Sequence, residues 1–193
     1  MNKRALIILA EGAEEIEAVI TIDTLRRGGV CLIENMIDVT VAGLAGKEIV
    51  KCSRLVSIFP DTSLEAQVNS LYDAVILPGG LKGTELLSEA QLVGQILKHH
   101  EKEGKIVAAI CAAPIAFKSH GIANGKKITS YPSVKERLVN NYQYIDEEKV
   151  VVDGNVTTSR GPGTAFEFAL SLVEQLVGKE IVDLVASQLL LKI

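Results

Sequence analysis

A chain of 193 residues, 48% apolar and 23% charged, is long enough for one domain with a sizeable core and too apolar for disorder. A net charge of −4 with no long basic block leaves no electrostatic footprint for nucleic acid, and no apolar run is long enough to span a bilayer. Three cysteines without metal-like spacing argue against a disulfide framework and against zinc, so a reducing, cytoplasmic setting is expected, with nucleus and mitochondria as further compartments.

The first element is "RALIILA", Arg4 to Ala10, a continuous apolar run of the kind that forms a parallel strand buried on both faces. Its basic start imitates a signal peptide, but "EGAEE" follows with no cleavage region. Glu14 to Arg27 has helical spacing, and Gly28-Gly29 is expected to stop the helix. "DVTVAGL", Asp38 to Leu44, reads as the second strand, and "EIVKCSRLVSIFPD" as a hairpin turning near Ser53. "LYDAVILPGG" is a buried strand broken by Pro-Gly-Gly, and one helix is expected from Glu85 to Glu103, ending in a solvated His99-His100. "KIVAAI" is the next strand and "APIAFKSHG" the next helix, with His120 beside its glycine stop. "KKITSYP" and "KVVVDGNVTTS" supply short strands, the latter around an Asp-Gly-Asn turn. Two periodic helices, "GTAFEFALSLVEQLVG" and "KEIVDLVASQLLL", close the chain. Buried strands alternating with amphipathic helices predict a three-layer α/β sandwich with a mainly parallel central sheet, one domain over residues 1–193.

In such folds chemistry collects beyond the carboxyl ends of the strands. Three strand ends stand out: "EGAEEIE", "PGG" and "CAAP". If those strands are neighbours, Glu17, Gly79, Gly80 and Cys111 meet in one site. Cys111 would sit at a sharp strand-to-helix turn, where free amides and the positive helix end favour a thiolate. Gly80, Gly79 and Ala112 lack bulk, so their amides can approach an oxyanion. A carboxyl at Glu17, desolvated against a thiolate, should stay protonated to higher pH and serve as general acid or base. Read singly, each signal has a plainer meaning. A cysteine among alanines is more often a small buried hydrophobe, an acidic cluster is usually a solvated helix start, and Pro-Gly-Gly is usually a turn. Cys52 is expected in an extended ribbon, exposed or at an interface; Cys31 has no chemical context. No histidine is placed as a triad base.

The segments "LAEGAEEIE", "VKCSR", "LPGG", "AAICAAP", "ITSYP", "TSRGPGTAFEFAL" and "GKE", in that order, make the whole chain closely resemble the ThiJ/PfpI superfamily. The resemblance implies a flavodoxin-like sandwich, a homodimer and no cofactor or metal. It implies a reactive Cys111, oxidised by peroxide to a sulfinate that Glu17 stabilises. It further implies protection against oxidative stress, chaperone-like behaviour, and glyoxalase or deglycase chemistry on methylglyoxal and glyoxal or their adducts. Glu17, Gly79, Gly80, Cys111 and Ala112 match the site motif; Arg54 and Arg160 match basic positions near the site and dimer interface. Tyr131 stands where many relatives carry histidine, which removes the nearest imidazole, and Phe59 where some carry another cysteine. Val30 to Met36 is an apparent insertion of about seven residues relative to that pattern.

Three functional readings follow. The first is an enzyme in which Cys111 attacks the aldehyde, Gly80 and Ala112 hold the oxyanion and Glu17 moves protons. The second is a redox sensor and chaperone without turnover. The third, an amidotransferase- or protease-like hydrolase, is disfavoured by the missing histidine.

Overall fold

Along the parallel strands, alternate side chains enter two separate cores, and that alternation builds three layers. The computed structural model describes residues 2–30 and 37–192. In chain order these form β1 (Lys3–Leu9), α1 (Glu15–Val30), β2 (Ile37–Gly43), β3 (Val50–Lys51), β4 (Ser57–Ile58), β5 (Thr62–Ser63), β6 (Ala74–Leu77), α2 (Leu81–Glu89) and α3 (Gln91–Lys102). There follow β7 (Ile106–Ile110), α4 (Pro114–His120), β8 (Lys127–Ile128), β9 (Gln143–Tyr144), β10 (Val150–Asp153), β11 (Val156–Ser159), α5 (Ala165–Val177) and α6 (Lys179–Gln188).

Seven strands make the central sheet in the order β10-β11-β7-β6-β1-β2-β5, parallel except for the β10–β11 pair. Leu6, Ile8, Val75, Leu77, Val107 and Ala109 face α2, α3 and α4. Their neighbours Ala5, Ile7, Leu9, Ala74, Ile76, Ala108 and Ile110 face α1, α5 and α6. The expected α/β sandwich with a mainly parallel sheet is therefore present. β1 lies between β2 and β6, and the chain crosses in opposite directions from it, so β1, β6 and β7 end side by side. A separate hairpin pairs β3 with β4, Val50 opposite Ile58, as expected around Ser53.

Three expectations fail for packing reasons. Gly28 and Gly29 do not stop α1, which runs on to Val30. They let the helix lie on β2: a Cβ at Gly29 would come 2.7 Å from the Ile37 carbonyl oxygen, and one at Gly28 3.1 Å from the Ile37 side chain. The helix expected from Glu85 to Glu103 is two helices, because Ala90 is extended (φ −76°, ψ 108°) and ends α2 before α3 begins. α2 must start at Gly80 and pack on α4, whereas α3 packs along β6 and β7; one straight rod cannot do both. His100, expected in solvent beside His99, is buried: its Nε2 accepts the Tyr72 amide at 3.0 Å and its Nδ1 donates to the Ile96 carbonyl at 2.7 Å. The segment from Val30 to Met36 lies, beyond the last residue of α1, outside the described residues, as does Cys31.

Replacing a helical glycine by alanine ordinarily stabilises by about 1 kcal/mol. Gly29→Ala is expected to do the reverse and lower the urea unfolding midpoint, because its methyl group meets β2 backbone. A raised midpoint would contradict this packing.

Candidate active site

β7 ends at Ile110, and the next residue turns the chain sharply into α4. Cys111 makes that turn with φ +64°, a left-handed conformation costing an L-residue roughly 1–2 kcal/mol. Hydrogen bonds on both sides hold it there. The Cys111 amide donates to the Ser159 carbonyl at 3.0 Å, and the Tyr131 amide donates to the Cys111 carbonyl at 2.8 Å. The "TSYP" segment thus serves the site through its backbone, whatever residue stands at Tyr131. The side chain of Cys111 is half-buried at the wall of a cavity of about 600 Å³.

Glu17 approaches from α1, fully buried. Its Oε2 accepts the Gly79 amide at 2.8 Å. Its Oε1 is also buried and meets no N–H or O–H donor among the described residues, while the Cys111 thiol interacts with the same carboxyl. Gly79 must be glycine because a Cβ would lie 2.6 Å from the Cys111 Cβ and 2.7 Å from Glu17 Oε2. Gly80 has φ +91°, and a Cβ there would lie 2.2 Å from the Gly12 carbonyl oxygen. The amides of Gly80 and Ala112 favour charge on the Cys111 sulfur.

Burial pushes the Glu17 carboxyl up to about 7, with the charge of Glu14 adding to it against the hydrogen bonds from Cys111 and Gly79. The sequence suggested a depressed thiol at Cys111. The structure raises it instead, through burial first and then the negative charge of Glu17, outweighing the Gly80 and Ala112 amides. Two acids that repel each other's charge in a desolvated space lose their protons in separate steps, the first near 7 as the carboxyl titrates and the second at higher pH.

Tyr131 and Arg54 line the same cavity, with Lys51, Lys82, Glu11 and Pro162. Arg160 does not reach its wall; its amide donates to Thr164 Oγ1 at 3.2 Å. Cys52 is buried, not exposed. It is 3% exposed, lines the cavity, and burial with the charges of Glu15 and Glu14 pushes its thiol up to about 11. All three histidines are described and none lines the cavity. No cluster of side chains able to hold a metal ion occurs among the described residues. No helix of the described residues is long and apolar enough to cross a membrane.

Two contributions escaped the sequence reading. Glu14 accepts the Glu17 amide at 2.8 Å and so caps α1. Glu15 binds the β3–β4 turn, its Oε1 accepting the Arg54 amide at 2.6 Å and its Oε2 the Ser53 hydroxyl at 2.7 Å. Helical spacing separates the direction of Glu15 from that of Glu17, two residues on, while Glu14 at the cap turns back onto the Glu17 amide.

The sequence profile of the DJ-1/PfpI family matches residues 3–175. Protein dj-1beta of Drosophila melanogaster is 56% identical over 190 residues, 98% of each chain. Its crystal structure superposes with a TM-score of 0.95, covering 100% of both chains at 55% identity. The Parkinson disease protein 7 homolog of Danio rerio is 52% identical over 194 residues, 99% of this chain and 98% of that one. Glutathione-independent glyoxalase DJR-1.2 of Caenorhabditis elegans is 42% identical over 181 residues, 93% of this chain and 91% of that one.

The native state binds the Glu17 proton more tightly than an unfolded chain, whose carboxyl titrates near 4.5. The resulting stabilisation is complete below that value, falls as pH rises to about 7, and is absent above it. The difference amounts to about 3 kcal/mol. Glu17→Gln, which keeps an acceptor for Gly79, is therefore expected to unfold at higher urea than the parent at pH 8, with the gain shrinking at pH 5. A pH-independent difference would contradict the buried proton.

Proposed function

The chain belongs to the DJ-1/PfpI family, and from that premise we propose that it is a cofactor-independent glyoxalase acting on methylglyoxal and glyoxal, or on their adducts, through Cys111. The observation that carries the reading is the buried, unpaired Glu17 Oε1 beside a strained cysteine at a cavity wall. The similarity to a relative named as a glutathione-independent glyoxalase supports the substrate class.

The reactive form is the minority arrangement of this pair, since burial favours the proton on sulfur: the proton sits on Glu17 and the charge on the Cys111 sulfur, which the Gly80 and Ala112 amides favour. The thiolate adds to the aldehyde carbon of methylglyoxal, and its electron pair becomes the C–S bond. The carbonyl oxygen takes the negative charge beside those amides and then the proton from Glu17, giving a hemithioacetal. Glu17, now a carboxylate, removes the C1 proton and returns it to C2 through an enediol, which leaves a 2-hydroxy thioester. Water cleaves the thioester, releasing lactate and the thiol, so methylglyoxal plus water becomes lactate. The bound oxyanion and proton transfers need no histidine, and Tyr131 and Arg54 line the space the substrate occupies. Arg160 supports the neighbouring Pro162–Thr164 turn.

A second reading draws on the same oxygen. Cys111 reaches the cavity half-exposed, whereas Cys52 is 3% exposed, so peroxide meets Cys111 first. Two peroxides oxidise the thiolate through sulfenate to sulfinate, each leaving as water, and protonated Glu17 donates to a sulfinate oxygen. In this reading the chain is a stress sensor and chaperone.

The single domain of residues 1–193 is proposed to act as a homodimer. Ile16 and Val19 on α1 and Val56 and Phe59 at the hairpin are exposed apolar residues, and Val19 and Phe59 border one groove.

Cys111→Ser is expected to abolish lactate formation from methylglyoxal in a protein that still sediments as a dimer. Unchanged lactate, or a monomer, would count against these readings. Cys111→Asp carries a sulfinate-like charge without a nucleophile; it is expected to make no lactate, and peroxide protection of cells by it would favour the sensor.

A further inference from the structure

Glu15 has no part in the chemistry above, yet it is 7% exposed and fully engaged. The tip it holds, between β3 and β4, has little support of its own, since two-residue strands make a marginal hairpin. The Cys52 amide donates to the Val56 carbonyl at 2.8 Å and the Leu55 amide to the Cys52 carbonyl at 3.0 Å. The remaining ties run to the entry of α1. The Ser53 amide donates to the Ala13 carbonyl at 2.8 Å and the Gly12 amide to the Lys51 carbonyl at 2.8 Å, beside the two bonds to Glu15. Those two are charge-assisted, and although burial opposes the charge, they hold the Glu15 carboxyl below its ordinary range.

The tip is strained. Leu55 has φ +69° with its side chain 70% exposed, and Arg54 and Leu55 both line the Cys111 cavity. A cavity of about 600 Å³ lies within the range that takes drug-sized ligands, so its interior does not by itself select a three-carbon aldehyde. That volume is the one enclosed with the tip in place; Ser53, Arg54 and Leu55 are part of its wall, so drawing the tip aside widens the approach to Cys111.

We propose that Glu15 is a positioning residue that latches Ser53, Arg54 and Leu55 in the cavity wall and so hinders the approach of bulky electrophiles to Cys111 relative to small electrophilic carbonyl compounds. The proposal rests on Cys111 being the reactive group. Without the carboxyl, the Arg54 amide and Ser53 hydroxyl lose their acceptor and Leu55 relaxes out of the left-handed region, drawing the tip aside.

The test compares Cys111 alkylation by iodoacetamide and by N-benzyl iodoacetamide, two neutral reagents with one reacting group, read by peptide mass on the full chain. Glu15→Ala is expected to raise the relative rate of the bulky reagent by about five-fold or more. Glu15→Gln keeps an acceptor for the Arg54 amide and a donor for the Ser53 oxygen, so its ratio should stay within about two-fold of the parent. That rescue separates a geometric latch from a charge effect. An alanine ratio within about two-fold of the parent, or a glutamine variant matching alanine, would overturn the proposal. If Glu15→Ala does not fold, Ser53→Ala decides: it must raise the ratio by about two-fold or the latch is wrong. Alkylation needs no turnover, so a parent protein that makes no lactate would sink the proposed activity while this measurement still judged the latch.

Discussion

One buried contact organises this molecule: the carboxyl of Glu17 set against the thiol of Cys111. Neither group is comfortable there. Burial penalises a charge on each, and a charge on one penalises a charge on the other. The surroundings are arranged to sustain that discomfort. Gly79 is small enough to let the two meet, Glu14 caps the helix that delivers Glu17, and β11 with the Tyr131 amide pins the cysteine turn. Stability is given up at neutral pH so that a proton stays poised beside sulfur.

The same device recurs on the opposite wall. Cys111 and Leu55 are both left-handed non-glycine residues and both line one cavity; Cys111 is held by bonds to β11 and Tyr131, and Leu55 through its neighbours Ser53 and Arg54, which are tied to the entry of α1. One strained turn presents the nucleophile and the other bounds the space in front of it. α1 serves both walls, because Glu15 and Glu17 lie on different faces of one helical turn.

What the sequence revealed follows from what is local. The buried runs at β1, β6 and β7 were legible from apolar continuity, and their shared edge from the rule that sites gather at strand ends, so Cys111, Glu17 and Gly79–Gly80 were placed together. Less legible were features set by distant partners. Ala90 breaks α2 from α3 although alanine favours helix, since the break is dictated by what each half packs on. Gly28-Gly29 reads as a stop and is a close contact with β2. His100 and Cys52 look solvated in their polar neighbourhoods and are buried by elements far along the chain. The thiol of Cys111 was expected to be acidic from the helix that follows it; that helix has only seven residues, and burial of the sulfur, followed by the charge of Glu17, dominates.

The central claim is that Cys111 has no independent ionisation and borrows that of Glu17. The direct measurement is the pH dependence of Cys111 alkylation by iodoacetamide, followed by peptide mass, in the parent and in Glu17→Gln. The account predicts a parent rate that rises with a midpoint near 7, the value to which burial pushes Glu17, and a variant in which that step is gone and reactivity rises only above the free-cysteine value of about 8.5. A midpoint near 7 that survives in Glu17→Gln would place the ionisation on another group and contradict the account.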